Sequence, residues 1–164
     1  MSIAQTFLGE FENEAKITRK FLERIPENKL SWKPHEKSHT AGELAMHIAV
    51  VPGAIVRIAQ ESQTDLPDFN RPWPQPKSVS EILAALEQSN ETVRKELPKI
   101  DDSRMQQTWT GLLDGKPVMT MPRVAFIRAI MLNHWIQHRG QLGVYLRLLG
   151  AKVPASYGPS GDEM

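Results

Sequence analysis

The sequence contains no cysteine, and that one absence excludes disulfides, thiolate metal ligands and cysteine nucleophiles together. Any metal must therefore be held by His, Asp or Glu. Net charge is scarce too: 20 basic side chains stand against 19 acidic ones, a formal net of +1, so no single-sign field draws the chain to nucleic acid or an anionic membrane. No basic stripe with interleaved aromatics replaces it, which makes nucleic acid the poorest candidate partner. Long apolar runs are also lacking. The stretch 124–149 reads as the most apolar, yet Arg128, Asn133, His134, His138, Arg139 and Arg147 interrupt it, and a membrane span needs about 20 mostly apolar residues. The N-terminal MSIAQTFLGEFENEAK is acidic where a secretory signal needs a basic start and an apolar core. The expectation is a cytoplasmic protein with no membrane partner.

What is present suffices for one domain over 1–164, since 40% hydrophobic content can bury a continuous core. Inward positions at Ile3, Phe7, Phe11, Ala15, Thr18 and Leu22 predict a first helix over Ile3 to Arg24. Pro26 and Pro34 then bracket the loop PENKLSWKPHEKSH. Thr40 and Glu43 have the spacing of a capping box and open helix two, whose inward stripe is Leu44, His47, Val51, Ile55 and Ile58. Pro52 and Gly53 predict a kink there, because the proline ring meets the Ile48 carbonyl. Four prolines between Thr64 and Lys77 make a long extended crossover. Ser78 and Glu81 repeat the capping spacing, and Ile82, Leu83, Leu86, Val93 and Leu97 carry helix three to Pro98. Residues 101–121 are the least legible, with Asp114–Gly115 marking the turn of a small hairpin. Helix four runs from near Pro122 to Gly150 with an inward stripe of Ile127, Met131, His134, His138, Leu142 and Tyr145. The Pro-, Gly- and Ser-rich tail 151–164 is expected to lie across the bundle surface or to be partly disordered. Together these elements predict an all-α four-helix bundle with a long crossover between helices two and three.

His134 and His138 are four residues apart, which stacks them on one helix face roughly 6 Å apart along the axis. Two imidazoles so placed can share one metal. The zincin helix uses the same spacing with a Glu after its first His, and Trp135 in that position excludes a zincin. His47 lies mid-stripe on helix two, where an imidazole without a partner costs free energy. A lone histidine on an apolar stripe is ordinarily a hydrogen-bonded core residue, but three on inward stripes converge. Three neutral nitrogens leave a tetrahedral ion one open position. His35 and His39, in or beside the proline-bracketed loop, read as surface residues.

The segments IPENKLSWKPHEKSHTAGELAMHIA and NHWIQHRGQLGVYLRLLG, with the closing VPASYGPSGDE, resemble the DinB-like (DinB/YfiT) metal-binding bundles, which are unrelated to the DNA polymerase of similar name. The likeness spans most of the chain. Carried over, the family's ligands fall on His47, His134 and His138, the residues the helical reading selects. The resemblance implies a homodimer, a bound Zn or Ni with Fe and Mn also accepted, and activity like that of thiol-dependent S-transferases and isomerases. It also draws in Arg139 for an anionic group, Gly140 for close helix approach and Gln141 as a partner to a ligand. Arg139 reads equally as a salt-bridging surface residue, and Trp135 and Tyr145 as core or interface aromatics.

Two chemistries follow for a small-molecule substrate. In the first, a low-molecular-weight thiol is activated at the metal and transferred to an electrophile. In the second, a metallohydrolase, a carboxylate base is usual, and Glu43 is the candidate, though the capping box claims it. A non-catalytic, metal-stabilised stress-response bundle is the third reading.

Overall fold

The computed structural model describes residues 1–68 and 71–164, so Phe69 and Asn70 of the expected crossover lie outside the described residues. Helix α1 (Ile3–Leu22) buries Phe7, Phe11, Ala15 and Leu22, as its periodicity predicts. Helix α2 (Ala41–Ile58) opens on a complete capping box. The Thr40 hydroxyl accepts from Glu43 N–H at 3.1 Å, and the Glu43 carboxylate accepts from Thr40 N–H at 2.8 Å.

The kink expected at Pro52 does not break α2, which stays one helix. Proline deprives the Ile48 carbonyl of its N–H partner, and the Trp135 indole N–H replaces it at 2.8 Å. One residue on, Gly53 N–H donates to Ser89 Oγ at 2.9 Å. A Cβ at Gly53 would meet Ser89 Cα at 3.0 Å, so glycine is what lets α3 (Val79–Glu96) lie so close. At the start of α3, Ser78 caps Glu81 N–H as expected, but the Glu81 carboxylate reaches Lys77 N–H rather than that of Ser78.

Beyond α3 and the short α4 (Asp102–Gln106), the expected hairpin is present and larger than the sequence suggests. Strands β2 (Thr108–Leu113) and β3 (Lys116–Pro122) pair antiparallel, and β1 (Gln63–Asp65) adds parallel to β2, giving the order β1-β2-β3. Asp114 and Gly115 have φ of 50° and 72°, the left-handed pair that a two-residue turn matched to strand twist requires. Arg123 is buried and donates to the Arg104 and Glu61 carbonyls, tying this sheet to the end of α2.

The fourth long helix is continuous over residues 123–148 but not uniform. It comprises α5 (Arg123–Phe126), a π-helical stretch (Ile127–His134) and α6 (Trp135–Leu148); the wide stretch has no counterpart in the sequence pattern. It stops at Gly150, whose φ is 72°. Gly150 N–H donates to the Arg147 carbonyl at 3.1 Å and Ala151 N–H to that of Leu146 at 3.0 Å, a Schellman ending.

Helices α3 and α6 each pack against both α1 and α2, so the order around the bundle is α1, α3, α2, α6. The proline-bracketed loop 23–40 spans the diagonal between α1 and α2, while the long crossover joins the adjacent α2 and α3. By length and composition α2, rather than residues 124–149, is the helix apolar enough to cross a membrane, yet most of it is buried inside the bundle. The tail is pinned to the surface by Arg24–Glu163 at 2.9 Å and Arg147–Asp162 at 2.6 Å.

Candidate metal centre

His47 projects from α2, His134 closes the π-helical stretch and His138 sits in the first turn of α6. The bond that repairs α2 at Pro52 also sets these helices against each other. Ile48 directly follows His47, and Trp135 directly follows His134. The Trp135 ring stacks on Phe11 with centroids 5.3 Å apart, which holds the strut in the core.

The three imidazoles converge. Ring centroids are 5.3 Å apart for His47–His134, 4.7 Å for His47–His138 and 4.4 Å for His134–His138. One nitrogen from each ring lies within 4.8 Å of the others, and the Nε2 atoms of His134 and His138 are 2.7 Å apart. Nitrogens around one tetrahedral ion, with bonds of about 2.0–2.1 Å, stand about 3.3 Å apart. Small ring rotations suffice to reach that arrangement.

Hydrogen bonding within the cluster does not close without a cation. Gln141 Oε1 lies 2.7 Å from His138 Nδ1; an amide oxygen only accepts, so Nδ1 carries the proton and His138 Nε2 presents a lone pair. His134 Nε2 can donate to that lone pair, but its Nδ1 is then buried with a bare lone pair and no partner. The opposite tautomer opposes two lone pairs. His47 Nε2 is buried without a partner in either case. Buried polar atoms are seldom left so; a cation bound by the three Nε2 atoms would satisfy His47 and use the opposed lone pairs of His134 and His138, leaving the His134 proton on Nδ1 toward the Ile130 carbonyl. Burial lowers the pKa of all three, with the neighbouring imidazoles adding to the effect; His47 falls to about 3, and a weaker upward pull comes from the Ile130 carbonyl on His134 and from Gln141 on His138. Neutral imidazole is the form that binds metal.

Gln141 thus stands where the sequence places it, holding a candidate ligand. Glu43 remains committed to the α2 cap, with one oxygen 3.8 Å from His39 Nδ1. Arg139 makes a salt bridge, as one of its two readings has it, but from a buried position, and the pairing leaves it unavailable to an outside anion. Only 2% exposed, it pairs with Glu14 at 2.6 Å and donates to the Thr18 hydroxyl at 3.2 Å and to Tyr157 OH at 3.1 Å. Glu14, which turns inward from α1 to meet it, has no signal in the apolar stripe. Gly140 is corrected, since a Cβ there would meet nothing within 4 Å; Gly143, against Phe21 Cε1 at 3.2 Å, is the close approach. Trp135 is core, while Tyr145 donates from its hydroxyl to the His39 carbonyl at 3.2 Å.

Trp73 is the residue that sequence reasoning missed. It lies face to face with His47, centroids 3.9 Å apart and planes 6° apart, and His39 covers its other face at 3.6 Å and 3°. His35 and His39 are both exposed, as expected, and His39 also stands beside the cluster through Trp73. The only trace in the sequence is an aromatic ring between Pro72 and Pro74. Two surface clefts, of about 460 Å³ beneath the tail and about 270 Å³ between α2 and α3, contain none of these histidines.

A model of the DinB family matches residues 1–164. The chain belongs to the DinB family. The uncharacterized protein YrdA of Bacillus subtilis (strain 168) is 30% identical over 161 residues, 96% of this chain and 89% of that one. The crystal structure of a DinB-like protein from Bacillus cereus ATCC 10987 superposes with a TM-score of 0.73 at 25% identity, covering 93% of this chain and 97% of its own. A second, the DinB-like YjoA of Bacillus subtilis, gives 0.67 at 18% identity over 97% and 99% of the two chains, a likeness of fold alone. DinB family membership and the imidazole geometry together support a three-histidine cluster compatible with metal binding.

Proposed function

We propose that this DinB family protein holds one divalent transition metal at His47, His134 and His138 and uses the position they leave open to transfer a small thiol to an electrophile. The observation that carries the reading is the convergence of three neutral imidazoles, one with a buried unpartnered nitrogen, with no carboxylate among them. Zn or Ni is the expected ion, and Fe or Mn is compatible, because neutral imidazole accepts several first-row metals. Bound there, such an ion supplies Lewis acidity that favours the thiolate form of a low-molecular-weight thiol.

The chain's own residues supply placement rather than proton transfer. His47 offers Nε2 from α2, His134 and His138 offer theirs from the adjoining helix, and Gln141 keeps the His138 proton on Nδ1. Glu43 is held by Thr40, so among the described residues no carboxylate base stands with the three histidines to activate water. A thiol needs less help than water to ionise, and its proton can pass to solvent as the new C–S bond forms and the displaced group leaves with its electron pair. That ranks transferase above hydrolase. A non-catalytic bundle would instead need a fourth protein ligand to close the site.

The test is turnover of a panel of electrophiles by metal-loaded protein with and without several small thiols. Turnover that needs the thiol and disappears in His138→Ala supports the transferase. Turnover without any thiol moves the assignment to a hydrolase. The proposal includes a cytoplasmic homodimer: a cysteine-free chain suits either redox setting, and Val144 and Leu148, exposed one turn apart on α6, offer an apolar patch. Sedimentation equilibrium checks the dimer.

A further inference from the structure

A metal-binding histidine is ordinarily oriented by a hydrogen bond to its second ring nitrogen. His138 has one, from Gln141. Among the described residues, nothing hydrogen-bonds to the His47 side chain, and what its ring touches instead is the face of Trp73, 3.9 Å away and nearly parallel. The indole is itself fixed from behind. His39 stacks on its far face at 3.6 Å, and the His39 backbone is held by the Tyr145 hydroxyl at 3.2 Å.

The crossover that carries Trp73 is anchored at the start of α2, one side chain away. Gln75 Oε1 accepts from the Thr40 hydroxyl at 2.6 Å, Gln75 Nε2 donates to the Leu30 carbonyl at 3.3 Å, and Pro76 is buried. A Cβ at Gly42 would stand 2.5 Å from Gln75 Nε2 and 2.9 Å from the Leu30 oxygen. Glycine at that position is therefore what admits the anchor. Both faces of the indole are occupied, so it is not a free platform for a flat substrate.

We infer that Trp73 is the positioning residue for His47: it takes the part that Gln141 plays for His138, through ring stacking instead of a hydrogen bond. The inference rests on the three-histidine reading above and adds a residue from the crossover to the same centre. Loss of the indole leaves the His47 ring free to rotate about χ2, and the ion must then hold it at an entropic cost.

Co²⁺ titration of the metal-free full chain tests this, read as affinity and as the visible absorption of the bound ion, which reports coordination geometry. Trp73→Ala is expected to weaken Co²⁺ binding by about 10–100-fold, the usual effect of losing an orienting partner, and to change the band shape. Trp73→Phe, which keeps a stacked ring, is expected to restore most of both. Wild-type affinity and spectrum in Trp73→Ala would overturn the inference while leaving the three ligands standing. So would a Trp73→Phe variant as weak as Trp73→Ala, since the loss would then belong to crossover docking and not to the stacked ring. No Co²⁺ uptake by the wild-type protein would remove the three-histidine reading, and this inference with it.

Discussion

His138 and Arg139 are neighbours in sequence, yet they enter two polar environments of opposite character, one half-buried and one buried. On one side Arg139 meets Glu14 at 2.6 Å, with Thr18 and Tyr157 taking further guanidinium donors; its charge has a counter-charge. On the other side His138 joins His47 and His134, where among the described residues no side chain of opposite charge enters and buried nitrogens lack partners. A buried charge that meets its counter-charge inside the chain contributes to architecture, whereas converging neutral imidazoles with no counter-charge among them leave room for a cation. Charge pairing separates a structural ion pair from a ligand site here, alongside a difference in burial: Arg139 and Glu14 are buried, whereas the three histidines are half-buried.

The largest effect should come from breaking the satisfied side. Glu14→Ala strands the Arg139 charge and is expected to cost roughly 3–5 kcal/mol in urea denaturation, with metal content per folded chain unchanged. Metal loss with stability preserved would reverse the roles assigned to the two regions. On the unsatisfied side, His47→Ala should weaken metal binding by more than about 100-fold, beyond the range seen for losing an orienting partner. Stability of the metal-free protein should shift by less than about 1 kcal/mol, because a buried unpaired nitrogen disappears with the ring. Elemental analysis of untagged protein and a chelator-treated melt measure the two halves; full metal retention would remove His47 from the ligand set.

Gln141→Ala is milder. It should cost about 10–100-fold in metal affinity, by freeing the His138 tautomer, and isothermal titration reads it directly. An unchanged affinity would make the Gln141 contact incidental. The smallest effect is on pH dependence. The unfolded chain protonates His47 near 6.5, whereas the folded one refuses the proton until about 3, so the metal-free protein should be fully stabilised above 6.5 and lose stability as pH falls below it. Thermal melts at pH 7 and pH 5 should show a smaller drop in His47→Ala than in the wild-type protein, and equal drops would mean that His47 titrates normally.

Much of the fold was legible because its signals are local. Thr40 and Glu43 cap α2 across three residues, Asp114–Gly115 turns the hairpin, and Gly150 ends α6; each is decided by backbone sterics or by a side chain reaching its own neighbours. The pairing of His134 with His138 is local in the same sense. What was not legible depends on residues far apart in sequence. Pro52 signals a kink, and the helix survives because a tryptophan 83 positions later supplies the missing donor. Arg139 could be read as exposed because Glu14 is 125 positions away. The crossover shows its prolines plainly but not that its tryptophan lands on His47.

Sequence by itself determined the four long helices, their caps, the imidazole pair on one face and His47 as its third partner, because helical periodicity and capping are settled within a few residues. Tertiary structure alone decided that Trp73 faces His47 and that Arg139 turns to Glu14. Those outcomes depend on how α1, α2 and α6 pack around one another, and packing is a property of surfaces brought together from across the chain rather than of any local pattern.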